Sequence, residues 1–217
     1  MLKLHGLPVS NFYCIVKQAL LEKNIPFEEV TAMPNQEPEY LAKSPMGKIP
    51  VLETAAGCLT ETNVILDYLE DTHPASPLFP SDAFERAKVR QMIKMSELYL
   101  EFPAHKLVNA LFGAEVSDEQ RAITKTAMTQ GLAAFQRLAK FSPWICGSTF
   151  TAADIFVFHA LSVVIGIGGK LYDWNVLAEV PGLKAWYEQV GQRPITKQLV
   201  TESQAALAAM MKQMKTQ

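Results

Sequence analysis

Three cysteines, Cys14, Cys58 and Cys146, are too few and too far apart for a disulfide framework. No C-x-x-C occurs among them, so the spacing of a dithiol redox centre is absent. The four histidines (His5, His73, His105, His159) form no cluster with each other or with cysteine, and no metal site is expected. No uninterrupted apolar run approaches the ~20 residues of a membrane span. The opening residues, MLKLHGLPVSNFYC, lack the apolar core of a signal peptide. The expectation is a cytoplasmic protein with no membrane partner. Arginine is missing altogether from residues 1–75, which carry five lysines against ten acidic residues, a net of −5. The remainder is +3, the whole chain −2 with pI near 6.1, so no nucleic-acid partner is implied.

What is present suits a folded chain with a sizeable core: 217 residues, 49% apolar and 19% charged. Leu2–His5 alternates and stops at Gly6, a short first strand. Ser10-Asn11 then precedes Ile15, Val16, Ala19 and Leu20, which recur at helical spacing as far as Asn24-Ile25-Pro26. Residues 27–30 read as a second strand, parallel to the first because a helix joins them. A short helix over 37–42, strands over 49–53 and 58–60 joined by a turn at 55–57, and a helix over 63–71 complete a β-α-β-α-β-β-α order. That last helix is expected to present Val64, Ile65, Tyr68 and Leu69 on one face. THPASPLFPSD, with three prolines in eleven residues, reads as a connector. Helices are expected over 83–110, 118–140, 151–165, 181–192 and 194–215. The expected fold is therefore an α/β module over 1–75, a linker over 76–84 and an all-helical domain over 85–217.

One stretch, GKIPVLETAAGCLTET (47–62), does not read as an ordinary hairpin. Pro50 lacks the N–H that a central strand donates, and Glu61-Thr62 puts a carboxylate and a hydroxyl where a turn belongs. Together with LHGLPVSN, NIPFEEV, SPMGKIPVLE, LTETNVILDYLED and GSTFTAADI, each at its expected place, this chain resembles the cytosolic glutathione transferases over essentially its whole length. The resemblance implies a thioredoxin-like N-terminal domain followed by a helical bundle. It also implies a homodimer, with glutathione as cosubstrate and a small hydrophobic electrophile as its reaction partner.

The resemblance assigns roles residue by residue. The Ile49–Pro50 bond is expected to be cis, exposing the backbone N–H and C=O of Ile49 to the cysteinyl part of glutathione, a form of strand addition. Thr62, at a helix N-terminus, is expected to donate to the γ-glutamyl carboxylate and Glu61 to accept from its ammonium. As a cap position, Thr62 has a purely structural reading as well. Lys48 is placed near the glycyl carboxylate; a solvated lysine is the plainer reading. Ser10 matches the thiol-activating serine of serine-type members, though serine before a helix is also the commonest cap. Asn11 is the runner-up and Tyr13 the third choice. Cys14 invites thiol-transfer chemistry, but falls inside the first helix, where a structural cysteine is expected. Lowering a thiol pKa from ~8.5 by two units corresponds to ~2.7 kcal/mol, within reach of a few directed hydrogen bonds.

In the second half Thr151 and Asp154 have the spacing of a capping box and are expected to be structural. Tyr99, Phe102, His105 and Lys106 are candidates for the electrophile pocket. Conjugation of glutathione, with peroxidase activity beside it, is the leading functional expectation. A glutathione-dependent isomerase or thiol transferase, and a non-catalytic glutathione-binding protein, are the alternatives.

Overall fold

A computed structural model describes residues 1–214. Residue 215, expected as the end of the last helix, lies outside them. The chain divides into two compact units: Met1–Leu78 joined by the segment that begins at Arg193, and Phe79–Gln192.

In the first unit, β1 (Leu2–Gly6) leads into α1 (Asn11–Glu22) and β2 (Phe27–Thr31), then α2 (Pro38–Leu41), β3 (Val51–Thr54), β4 (Gly57–Leu59) and α3 (Thr62–Thr72). Because α1 is a crossover, β1 and β2 pair parallel; β3 pairs antiparallel with β1, and β4 antiparallel with β3. The sheet order is β2-β1-β3-β4. Ile15, Val16, Ala19 and Leu20 of α1 are buried with Leu4, Val51 and Leu52 of the sheet. The structure corrects the face expected of α3. Ile65, Leu66 and Leu69 are buried, whereas Val64 is half exposed and Tyr68 only partly covered.

Helix α9 (Pro194–Met214), grouped by sequence with the helical half, packs on α1 in this first unit. Gln18 Nε2 donates to Thr196 Oγ1 at 2.8 Å with both residues fully buried. Arg193 reaches Glu22 at 2.7 Å, and Lys17 reaches Glu202 at 2.7 Å. The proline-rich connector is also held here. Lys23 donates to the Ser76 carbonyl at 2.8 Å and to Glu70 at 2.7 Å, and Glu70 accepts from Leu78 N–H at 3.0 Å.

The second unit is built around α7 (Ala152–Tyr172), packed by α4 (Ala83–Ser96) and α8 (Leu183–Gly191) and sharing its core with α6 (Asp118–Gln136). Ala152–Leu161 of α7 is buried without a break, as expected of a helix at the centre of a core. Asp154 lies there at 0% exposure and accepts four hydrogen bonds: from Ile145 N–H (2.8 Å), Thr151 N–H (2.9 Å), the Thr151 hydroxyl (3.2 Å) and Trp186 Nε1 (2.9 Å). Thr151 and Asp154 thus fasten the start of α7 to a loop and to α8.

The single helix expected over 83–110 is interrupted. After α4 comes a π turn, Glu97–Glu101, in which Phe102 N–H bonds the Glu97 carbonyl, then α5 (Phe102–His105) and a 3₁₀ turn, Val108–Phe112. Pro103 has no N–H for the carbonyl four residues back, that of Tyr99, so the regular ladder cannot pass through it. Gly131 of α6 lies against that carbonyl so closely that an added Cβ would stand 2.1 Å from its oxygen.

Candidate functional site

The first unit brings most of the candidate residues onto three short backbone segments. The segment after β1 turns through Leu7-Pro8-Val9, with Ser10 N–H bonded to the Leu7 carbonyl at 3.0 Å. Ser10 is the N-cap of α1, and its Oγ accepts from Tyr13 N–H at 3.3 Å. A hydroxyl has one proton and two acceptor positions. Accepting from the helix therefore leaves the Ser10 proton available to a ligand, so the capping and donor roles coexist.

The neighbours of Ser10 are placed differently. Asn11 is buried at the first position of α1. Tyr13 is 1% exposed, and its hydroxyl donates to Glu29 Oε2 at 2.5 Å. Burial, and then the Glu29 carboxylate, push that phenol well above its ordinary pKa. Cys14 is buried, its Sγ donates to the Pro8 carbonyl at 3.2 Å, and burial pushes its thiol up to about 12. It has the environment of a structural cysteine and not of a thiolate.

The second segment runs from α2 to β3. The Ile49–Pro50 peptide is cis, and β3 starts only at Val51. The strand expected over 49–53 is thus displaced past the proline, whose missing N–H removes nothing from the ladder. Among the described residues neither the N–H nor the C=O of Ile49 enters a hydrogen bond. The buried Ser44 hydroxyl accepts from Lys48 N–H at 2.9 Å and donates to the Lys48 carbonyl at 2.8 Å, with Tyr40 O–H on the same carbonyl at 3.1 Å. Gly47 holds φ at +64, and a Cβ there would stand 2.1 Å from the Asn35 carbonyl oxygen. Lys43 is paired with Glu53 at 2.9 Å, whereas the exposed Lys48 ammonium makes no ion pair among the described residues.

The third segment is the start of α3. Here Glu61, not Thr62, is the N-cap, and no side chain caps the helix. Thr62 occupies the first helical position, which corrects its reading as a cap. The residue is buried, and its hydroxyl makes no hydrogen bond among the described residues. Glu61 holds φ +64 and ψ 111, an uncommon backbone for a residue with a side chain. Its side chain is exposed and unbonded among the described residues.

The candidates in the second unit gather around the π turn. Tyr99 and Phe102 are half exposed, and Lys106 Nζ lies 4.7 Å from the centroid of the Phe102 ring. His105 Nδ1 lies 2.6 Å from Oε1 of the buried Glu101. Tyr99, Phe102 and Lys106 therefore present an apolar and cationic surface, while His105 is tied into the scaffold.

Sequence reading missed Ser44 and Gly47, which shape the approach to Ile49, and Glu29, which holds Tyr13. Gly47 was detectable, since glycine after Ser-Pro-Met marks a turn needing positive φ. Glu29 and Ser44 carry no local signal, because their partners are set by packing.

Comparison with known proteins agrees with this fold. A sequence model described as "Glutathione S-transferase, N-terminal domain" matches residues 4–77, and one described as "Glutathione S-transferase, C-terminal domain" matches 118–189. A glutathione S-transferase of Pseudomonas putida is 40% identical over 217 residues, covering 100% of this chain and 99% of the relative. A glutathione transferase structure from Populus trichocarpa shares the fold, with a TM-score of 0.79 at 24% identity over 94% of this chain and 99% of its own. A glutathione S-transferase of Methylobacterium radiotolerans, solved in complex with glutathione sulfonate, has a TM-score of 0.77 at 26% identity, covering 92% of this chain and 94% of that one. With both family domains matched in order and near-complete coverage by a relative at this identity, the chain belongs to the glutathione S-transferase family.

Proposed function

We propose that this enzyme binds glutathione along the three segments of the first unit and presents it as the thiolate to a small hydrophobic electrophile. Ile49 supplies the main-chain donor and acceptor for the cysteinyl residue, as an added strand would use them. Thr62 and the uncapped start of α3 take the γ-glutamyl carboxylate, where the helix presents N–H groups and partial positive charge. Glu61 accepts from the α-ammonium, and Lys48 faces the glycyl carboxylate. The complex with glutathione sulfonate formed by the Methylobacterium relative supports glutathione as the ligand.

The observation that carries the chemistry is the bonding of Ser10. Its oxygen already accepts from the helix, so its remaining proton is the donor that a sulfur at the start of α1 would meet. Hydrogen bonding to the charged form lowers a pKa. The thiol proton passes to water, and the thiolate attacks carbon. With an aryl halide the S–C bond forms as the C–halogen bond breaks, and halide leaves with the electron pair. With a hydroperoxide the thiolate instead attacks the terminal oxygen as the O–O bond breaks and the alkoxide leaves as alcohol. The thiol of a second glutathione then attacks the resulting sulfenic acid, giving glutathione disulfide and water. Thiol transfer through Cys14 is disfavoured by its burial and its bond to Pro8. The enzyme is taken to act as a homodimer, which sedimentation at working concentration tests.

Ser10→Ala provides the direct test. Turnover with an aryl halide is expected to fall about 10²-fold, as when one directed donor is lost. Calorimetric affinity for glutathione should change by less than about three-fold, because Ile49 and Thr62 supply the binding. Unchanged turnover and thiolate absorbance would sink the serine role.

A further inference from the structure

We propose that Tyr13 is a positioning residue for Ser10, holding the first turn of α1 so that the serine proton stays aimed at the glutathione sulfur. This rests on the reading of Ser10 given above and extends it to a residue that touches no substrate.

Tyr13 is fixed at three points. Its main-chain N–H donates to Ser10 Oγ at 3.3 Å. Its ring lies on the face of Gly6, where a Cβ would stand 2.5 Å from Tyr13 Cδ2, at a φ of +153 that also favours glycine. Its hydroxyl donates to Glu29 Oε2 on β2 at 2.5 Å. The same Glu29 oxygen takes Lys17 Nζ at 2.7 Å, and Lys17 also holds Glu202 of α9 at 2.7 Å. One residue thus ties the end of β1, the start of α1 and β2 together, with α9 bracing it through Lys17.

The consequence follows from how helices begin. First turns fray because their N–H groups have no intrahelical partners, and α1 has no acidic side chain in that turn to steady it. The Tyr13 N–H selects the Ser10 rotamer by occupying one of its acceptor positions. If that turn loosens, Ser10 samples other staggered rotamers and its proton turns away from the sulfur. The phenol is neutral and committed to Glu29, so Tyr13 acts through Ser10 and not on the thiol itself.

The experiment is a double-mutant cycle on the full-length enzyme, read as turnover and as the pH profile of thiolate absorbance of bound glutathione. Tyr13→Phe keeps the ring on Gly6 and removes only the hydroxyl. Turnover is expected to fall about five-fold and the thiol pKa to rise by about half a pH unit, with glutathione affinity held within about two-fold. In a Ser10→Ala background the same substitution should have no further effect on either readout. Glu29→Ala should reproduce the Tyr13→Phe shift while leaving the ring in place. If Ser10→Ala alone changes neither readout, the Ser10 reading falls and this proposal with it. If Ser10→Ala acts as expected but Tyr13→Phe or Glu29→Ala is silent, or keeps its full effect in the Ser10→Ala background, only the role of Tyr13 is overturned.

Discussion

Lys17 in the first unit and Asp154 in the second are both charged side chains buried in a core, at 4% and 0% exposure, and the fold uses them differently. Asp154 is surrounded by neutral donors: two backbone N–H groups, a hydroxyl and an indole. They belong to the scaffold that the aspartate itself holds at the start of α7. Lys17 is paired with two carboxylates whose side chains are 47% and 33% exposed, one on β2 and one on α9. Burial pulls its pKa down, but the two carboxylates more than offset that, so it stays charged at any ordinary pH. A buried anion enclosed by dipoles serves the packing of one core. A buried cation reaching outward connects elements far apart in the chain, here α1 with β2 and α9.

That contrast is open to direct attack. The largest effect is expected from Asp154→Ala, which leaves three N–H donors without an acceptor in the core and should cost about 3–5 kcal/mol. Urea unfolding reads the loss, and turnover per folded molecule at low temperature should stay near wild type. A large fall in that turnover would make Asp154 functional and erase the distinction. Lys17→Met is next, at about 2–3 kcal/mol, smaller because its two carboxylates can hydrate once the cation is gone. Limited proteolysis should find α9 cut faster in this variant and not in Asp154→Ala; equal cleavage would mean that Lys17 is not what holds α9.

The smallest effect concerns a third buried group. Burial in the second unit lowers the His159 pKa from 6.5 to about 3. Above pH 6.5 neither folded nor unfolded chain carries its proton; below it only the unfolded chain does, until the folded group titrates near 3. Stability is therefore lost as pH falls through this window, by about 1–2 kcal/mol between pH 7 and 5. His159→Phe should flatten the urea-midpoint profile over that interval. An unchanged slope would assign the pH dependence to other groups.

What could be read from the residues alone follows the range of the physics involved. The βαβ start, the hairpin and the serine cap depend on neighbours a few positions away, and the motifs around Ile49-Pro50 and Thr151–Asp154 are local chemistry. The π turn was hidden because Pro103 acts through the carbonyl of Tyr99, and its accommodation depends on Gly131 in another helix. The α3 face escapes sequence reading because packing on α1 decides it, turning Thr62, Ile65, Leu66 and Leu69 inward. The Lys17 link to Glu202 spans 185 positions, so no local pattern could announce it. Apart from Gly47, whose turn signal is local, the sites that escape sequence reading are the ones whose partners arrive by packing.

Helix α9 has a consequence for the order in which the protein is made. The first unit is a discontinuous one, interrupted by the 114 residues from Phe79 to Gln192. At the usual ~5–20 residues per second, its sheet and α1 wait roughly 6–23 s for the segment that completes them. During that time Gln18 has no Thr196, Lys17 has Glu29 but no Glu202, and the outer face of α1 is uncovered on the ribosome. The first unit is thus begun before the second and completed after it.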